Sequence, residues 1–191
     1  MTLLLQISDA HFGTEQAAVA EALVRLAAAL RPDVAVWSGD ITQRAYRRQF
    51  DAARRFADRL GVPHTLAIPG NHDLPLFDLM ARLRRPYANY RRAFGHELEP
   101  RFESQDMLVL GVNTTRPWRH QHGEVSHRQI ERVARQLQAA DARQLRIVVV
   151  HHPVALIEAS DRINLLRGRG VAIARWADAG ADLILGGHIH L

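Results

Sequence analysis

Five short clusters of His, Asp and Asn each follow an apolar run of the sequence. They are Asp9-Ala10-His11, Gly39-Asp40, Gly70-Asn71-His72-Asp73, His151-His152-Pro153 and Gly187-His188-Ile189-His190. Imidazole nitrogens mixed with carboxylate and amide oxygens suit Zn, Mn or Fe better than Mg or Ca. The chain has no cysteine, which excludes a thiolate site. These residues therefore predict a metal site with nitrogen and oxygen ligands.

The clusters hold more candidate ligands than one metal ion needs, and about the right number for two. The candidates are Asp9, His11, Asp40, Asn71, His151, His188 and His190. If the chain is extended there, Asp9 and His11 project to one face, and His188 and His190 have the same spacing. Asp40 is the candidate for a carboxylate that bridges both ions. Two metal ions about 3.5–4 Å apart can hold an attacking hydroxide and stabilise charge on a phosphoryl oxygen.

Each cluster taken alone also has an ordinary structural explanation. Asp-x-His and Gly-Asp are frequent in surface loops, and residues 70–73 could form a simple turn because Asn and Asp favour turns. The pair His151-His152 could be the end of a strand that Pro153 terminates. All five clusters in this order, each after a strand, are hard to ascribe to chance.

Apolar runs that resemble strands alternate with amphipathic helical stretches along the chain. Strands are predicted at 3–8, 34–38, 64–68, 107–113, 145–150 and 182–185, and helices at 15–30, 46–60, 78–94 (one or two, broken near Pro86), from Ser126 onward, and at 171–179. The pair Ser126 and Gln129 forms a capping box. The alternation predicts an α/β fold with buried, largely parallel strands. Ligand sites in such folds lie outside the carboxyl ends of the strands, where all five clusters fall.

Length and composition narrow the class of protein. A chain of 191 residues with 47% hydrophobic and 24% charged residues is typical of a globular domain with a substantial core. It has no run of about 18 apolar residues that could span a membrane, and residues 3–5 are too short for a signal peptide. The sequence therefore predicts a cytoplasmic protein with no membrane partner.

The charge does not indicate a nucleic-acid partner. The formal net charge is +5, and all 25 basic residues are arginines. Because they are scattered over many segments, solvated helix faces explain them better than a nucleic-acid patch does.

The segment 113–124 follows a predicted strand and is rich in Arg, His and aromatic side chains. Arg116 or Arg119 could bind a phosphate, and Trp118 or His120 could stack on a base. A surface loop with Trp118 packed on the body of the protein explains the composition equally well.

In their order, the five clusters resemble the motifs of the calcineurin-like metallophosphoesterase superfamily, over the whole chain. The resemblance implies one metallophosphoesterase domain at 1–191, folded as a four-layer α/β/β/α sandwich around two mixed sheets. It implies that one metal is held by Asp9, His11, Asp40 and His190, and the other by Asp40, Asn71, His151 and His188. It also implies that the catalytic residue His72 faces the substrate, with His152 and Asp73 nearby in supporting positions.

The placement of His72 also follows from its neighbour. In an extended stretch, His72 and Asn71 point to opposite sides, so both cannot easily reach one ion. Facing the substrate, a protonated imidazole can donate to a phosphoryl oxygen or to the leaving alkoxide.

Two positions bear on the substrate. Asp73 after His72 resembles the bacterial class III cyclic-nucleotide phosphodiesterases, whereas phosphoprotein phosphatases usually carry Glu there. Gln43 stands where both groups carry an acidic residue. The sequence favours a phosphodiesterase acting on a small nucleotide or glycerol-type diester. A phosphomonoesterase and a catalytically silent interaction scaffold are the alternatives.

The last metal cluster lies one residue before the end of the chain at Leu191. Members of the superfamily continue with further strands, so the resemblance implies that the C-terminal strands of the second sheet are lacking. An open sheet edge of this kind could pair with a second copy and form a homo-oligomer.

Overall fold

The computed structural model describes residues 1–156 and 158–189. In chain order its elements are β1 (Leu4–Ile7), α1 (Ala17–Leu30), β2 (Val34–Trp37), α2 (Arg47–Leu60), β3 (His64–Ala67), α3 (Leu79–Arg84), α4 (Ala88–Phe94), β4 (Arg101–Glu103), β5 (Met107–Gly111), α5 (His127–Gln138), β6 (Leu145–Val149), α6 (Arg169–Asp178) and β7 (Leu183–Leu185). Two 3₁₀ helices lie at Asn71–Asp73 and Ala159–Asn164.

The seven strands form two sheets. The first has the order β1-β2-β3 and is parallel throughout. The second has the order β4-β5-β6-β7, in which β4 is antiparallel to β5 and the other pairs are parallel. Strands β2 and β5 are buried along their whole length, as expected for strands covered on both faces.

Three apolar clusters show how the layers stack. Side chains of both sheets, such as Val36 and Val109, meet in a core between the sheets. Helices α1, α2 and α4 cover the outer face of the first sheet around Trp37. Helices α5 and α6 cover the outer face of the second sheet around Trp176. The predicted four-layer α/β/β/α arrangement is confirmed.

Two helix boundaries follow directly from local sequence. The predicted helix at 78–94 is two helices, because Pro86 interrupts the stretch between α3 and α4. The capping box of α5 is present: the Gln129 backbone N–H donates to the Ser126 hydroxyl at 3.3 Å, and the Ser126 N–H donates to the Gln129 side chain at 3.0 Å. Strand β4, with three residues, was not predicted because it is too short to show a periodicity.

The loops after the strands are bonded to one another across the two sheets. The Asp9 N–H donates to the Gly39 carbonyl at 3.2 Å, and the Gly187 N–H donates to the His151 carbonyl at 2.9 Å. The His151 ring reaches across to the Ser38 carbonyl at 3.0 Å. The predicted clusters therefore lie together at one end of the sandwich.

In the described part of the chain, no helix is long and apolar enough to cross a membrane. Strand β7 lies at one edge of the second sheet. Pairing of this edge with a second copy stays a prediction.

Candidate metal centre

Four of the predicted ligands have a left-handed backbone conformation. The φ angles are 52° at Asp9, 44° at His11, 47° at Asp40 and 74° at His188. Such conformations cost a non-glycine residue on the order of 1–3 kcal/mol and cluster at functional sites. The condition that the chain is extended around Asp9 and His11 is therefore not met, because the backbone turns at each of them.

These turns bring Asp9, His11 and Asp40 together. Each offers a ligand atom within 4.8 Å of the other two, and His11 Nε2 lies 4.0 Å from Asp40 Oδ2. The Asp9 carboxylate also accepts the His188 N–H, at 3.0 Å to each oxygen. His190, which was predicted to join this group, lies outside the described residues.

A second group forms around His151, which is completely buried. Its Nε2 lies 3.3 Å from Asp40 Oδ1 and 3.1 Å from Asn71 Oδ1. Its Nδ1 donates to the Ser38 carbonyl, an arrangement that fixes the ring and directs Nε2 towards the group. The His188 ring lies 5.1 Å from the His151 ring, centroid to centroid. Asp40 thus faces the first group with one oxygen and the second with the other.

His152 lies beside His151 and His188, but both of its ring nitrogens already have partners. Nδ1 is 2.8 Å from the Thr114 hydroxyl, and Nε2 is 3.1 Å from the Gln121 carbonyl. His152 therefore connects the loop after β6 to the loop 113–124.

The hydrogen bonds of the Asp73 carboxylate go to the loop after β2 and to Gly70. The carboxylate accepts the N–H groups of Ile41 at 3.1 Å, Thr42 at 2.8 Å and Gly70 at 2.9 Å. Burial and the charge of Asp40 raise the pKa of Asp73 to about 6, against the effect of these donors. Asp73 therefore fixes the loop that carries Asp40.

The buried groups of the site shift one another's pKa. Burial would raise the pKa of Asp40, but the charge of His151 and its hydrogen bond hold that pKa well below its usual range. Burial would lower the pKa of His151, and Asp40 raises it instead. Burial, with the charge of His151, lowers the pKa of His188 to about 4. An ionised Asp40 and a neutral His188 are the forms that bind a cation.

Gly70 allows a close approach of two loops. A Cβ at this position would overlap the backbone nitrogen and Oδ1 of Asp40. The structure shows that the space is taken by Asp40 itself.

His72 lies in the 3₁₀ helix Asn71–Asp73, so the extended stretch assumed for it is also wrong. Its N–H donates to Asp40 Oδ1 at 2.8 Å, and its Nδ1 lies 2.9 Å from the Gln43 carbonyl. The carbonyl can only accept, so Nδ1 carries a proton and Nε2 is the nitrogen available to a ligand.

Five of the predicted site residues line an open cleft of about 390 Å³. Its walls are His11, Thr14, Asp40, Gln43, Asn71, His72, Gln121, Asn164 and His188. The sequence did not indicate Thr14 or Asn164; it singled out Gln43 only by comparison with the family motif, and Gln121 only as part of the segment 113–124. Neutral polar residues in loops have no distinctive spacing, and Gln43 orients His72 through a backbone carbonyl that every residue has.

Arg116, Trp118 and Arg119 of the loop 113–124, which were predicted to contact the substrate, do not line this cleft. The Arg116 guanidinium donates to the Asn113 carbonyl at 3.1 Å and to the Gln129 side chain at 2.7 Å. Arg119 pairs with Glu124 at 3.1 Å. The Trp118 side chain is 72% exposed, so it is not packed on the body of the protein either.

The buried Arg82 is a structural residue that sequence reasoning missed. Its guanidinium donates to the carbonyls of Pro75 at 2.8 Å, Pro117 at 2.6 Å and Arg119 at 2.8 Å. Burial lowers the pKa of Arg82, yet three acceptors satisfy its donors. Arg82 therefore ties α3 to the loop 113–124.

We expect Arg82→Ala to lower the free energy of unfolding by about 3 kcal/mol, because three part-buried carbonyls lose a charged donor. Urea unfolding followed by circular dichroism measures this. Arg143→Ala is the matched control: Arg143 is 77% exposed and pairs with Asp141, so its loss should change the stability by less than about 0.5 kcal/mol. Equal stability of Arg82→Ala and wild type would show that the three contacts are not stabilising.

Solved structures share this fold at low sequence identity. A dimetal phosphatase from Danio rerio is 15% identical, with a TM-score of 0.67, and the match covers 99% of this chain and 82% of the other. A purple acid phosphatase from yellow lupin (Lupinus luteus) seeds is 15% identical, with a TM-score of 0.75, over 99% of this chain but 38% of the other. Phosphopantetheinyl hydrolase from Mycobacterium tuberculosis is 18% identical, with a TM-score of 0.59, over 100% and 83%.

No curated protein matches the chain in sequence. A particular closeness to the class III cyclic-nucleotide phosphodiesterases is not confirmed by these similarities. The family model described as calcineurin-like phosphoesterase matches residues 2–191, almost the entire chain. The chain therefore belongs to the calcineurin-like phosphoesterase family and is a metal-dependent hydrolase of phosphate esters.

Proposed function

We propose that the chain is a binuclear-metal phosphodiesterase that acts on a small nucleotide or glycerol-type diester. The lining of the cleft carries this proposal. Its described residues are the carboxylate Asp40, histidines and neutral polar side chains, and none of them is Arg or Lys. A phosphodiester has one negative charge, whereas a monoester has nearly two at neutral pH. A site without further cations suits the diester better.

The donor set fits two metal ions. It mixes nitrogen and oxygen ligands, and the Asp40 carboxylate, which is 2% exposed, lies between its two groups. Four of its residues have strained backbone conformations. We assign Asp9, His11, Asp40 and His190 to one ion, and Asp40, Asn71, His151 and His188 to the other. The residue types favour Mn, Fe or Zn. Bound there, two such ions supply Lewis-acid stabilisation of the phosphoryl group and a water of lowered pKa.

The protein's own side chains orient the substrate and move the proton. His72 lines the cleft, and its Nδ1 is held by the Gln43 carbonyl, so Nε2 of a protonated ring can donate to the leaving oxygen. The amides of Gln121 and Asn164 can bind hydroxyl groups of a sugar or glycerol.

We expect metal analysis of protein reloaded with Mn to approach two ions per chain, because Asp40 faces two separate donor groups. The measurement is elemental analysis after removal of free metal. His151→Ala should reduce the content, whereas His127→Ala, an exposed histidine at the start of α5, should not. A plateau at one ion or fewer in the wild type would contradict the binuclear assignment.

The substrate class is tested with matched chromogenic esters. We expect a higher kcat/KM for bis(p-nitrophenyl) phosphate than for p-nitrophenyl phosphate. In a second assay, we expect hydrolysis of cyclic nucleotides or glycerophosphodiesters. The second candidate is a phosphomonoesterase, which the similarity to structures described as phosphatases favours. A preference for the monoester would establish that candidate. Two bound metals with no hydrolysis of any ester would favour an interaction scaffold.

A further inference from the structure

Helix α3 and the residues before it present an unusual number of apolar side chains to solvent. Phe77 is 74% exposed, Leu79 67%, Met80 56% and Leu83 76%. Single exposed apolar residues are common and need no explanation, but a concentration of them marks a surface that contacts something.

Helix α3 exposes apolar side chains and buries an arginine, which is the reverse of an ordinary surface helix. Leu79 and Leu83, four residues apart, share the face that points to solvent. Arg82 points inward and is 8% exposed. Its three bonds to backbone carbonyls hold the helix in this orientation. The apolar face is therefore kept outward by specific contacts.

The same arginine places Trp118 beside the helix. Arg82 binds the carbonyls of Pro117 and Arg119, which flank Trp118 on both sides. Trp118 is 72% exposed. We call Phe77, Leu79, Met80, Leu83 and Trp118 the apolar rim. The rim lies close along the chain to the cleft, since Phe77 follows His72 by five residues and Trp118 precedes Gln121 by three.

The charge next to the apolar rim is positive. Arg84 and Arg85 are exposed at the end of α3, and the described structure records no ion pair for either. The Arg44 guanidinium lies 6.0 Å from the centre of the Phe77 ring. The carboxylate of the segment, Asp78, caps α3 by accepting the Ala81 N–H at 2.8 Å.

We propose that the apolar rim docks on the surface of a membrane that contains anionic lipids. Apolar and aromatic side chains beside arginines are the pattern of an interfacial segment, and arginines near an anionic surface add to the binding. A second copy of the chain is a poorer occupant, because a two-fold interface centred on the rim would gather Arg84 and Arg85 of both copies in one patch of like charge. The sequence predicted no membrane partner from the lack of a spanning run, a criterion that does not test surface contact.

Tryptophan fluorescence provides a specific readout. Trp37 and Trp176 are 1% and 0% exposed, so a change on adding vesicles reports Trp118. We expect a blue shift of the emission, and sedimentation of the full chain with vesicles, when phosphatidylglycerol is mixed into phosphatidylcholine. Pure phosphatidylcholine should bind at least about tenfold more weakly, because the arginines then lose their anionic partners.

Variants separate the apolar from the charged contribution. Leu79→Ser combined with Leu83→Ser should weaken vesicle binding by about tenfold for each leucine removed. Arg84→Gln combined with Arg85→Gln should abolish most of the preference for anionic vesicles. Val171→Ser, at a residue 60% exposed on α6, is the control and should bind like the wild type. Circular dichroism checks that all variants are folded.

Two results would overturn the proposal. One is a wild-type chain that neither sediments with anionic vesicles nor changes its fluorescence. The other is a wild-type dimer in solution that Leu79→Ser with Leu83→Ser converts to monomer, without any lipid binding. The readouts do not depend on hydrolysis, so they test the docking surface independently of the proposed phosphodiesterase activity.

Discussion

Asp40→Asn is expected to lower kcat/KM by at least about 10²–10³-fold, the loss associated with one preorganised electrostatic group, and to lower the metal content with it. The substitution keeps the shape of the side chain and removes its charge. The Asp40 carboxylate is 2% exposed, with Oδ2 4.0 Å from His11 Nε2 and Oδ1 3.3 Å from His151 Nε2. Because it faces both donor groups, its charge contributes to both proposed metal sites at once.

The measurement is elemental analysis beside kinetics on one chromogenic diester. Asp182→Asn is the control. Asp182 accepts the Arg146 N–H at 2.8 Å at the start of β7, the end of the strand opposite the metal clusters, so this variant should keep metal and activity. If Asp40 only caps its own turn, Asp40→Asn will lose some stability but keep both metals and its rate. That result would remove Asp40 from the proposed metal sites.

The sequence predicted the strands and the positions of the clusters because both depend on local pattern. Parallel strands buried on two faces are read as short continuous apolar runs, and β2 and β5 are of this kind. A parallel strand ends at the same edge as its neighbours, so polar residues after each strand meet there. The family resemblance then supplied the layer order, which local pattern does not contain.

The conformation of the ligand loops was not predictable in the same way. Asp9 and His11 have positive φ although neither is glycine, and propensity disfavours that conformation for both. The strain is held by tertiary bonds, such as the one from the His11 N–H to the Asp40 carbonyl at 3.0 Å. A pattern of residue types does not report on bonds between distant loops.

For the loop 113–124, composition predicted substrate contacts that the described structure does not support. Arginine in a loop near a phosphoesterase site suggests phosphate binding. Arg116 instead uses its donors on the Asn113 carbonyl and the Gln129 side chain, at 3.1 and 2.7 Å. Whether an arginine is available for a ligand depends on competing acceptors in the fold, and those are visible only in three dimensions.

His72→Ala is expected to keep both metals and to lower kcat by about 10²–10⁴-fold, the usual contribution of a general acid. The ring nitrogen Nδ1 is 2.9 Å from the Gln43 carbonyl and donates to it, so a protonated ring has the Nε2 proton left to donate to the leaving oxygen. The ring also packs edge-on against His11 at 4.9 Å between centroids, so metal content must be measured together with the rate. His127→Ala, at the exposed histidine that begins α5, serves as the control.

The leaving group separates two ways in which His72 can act. An ester of p-nitrophenol leaves as a stable anion and needs little protonation, whereas an alkyl ester needs a proton in the transition state. If His72 donates that proton, His72→Ala will lose much more rate on the alkyl ester than on the p-nitrophenyl ester. Equal losses on both esters would mean that the imidazolium stabilises charge on the phosphoryl oxygens without transferring its proton. If His72→Ala loses metal, His72 is instead a metal ligand.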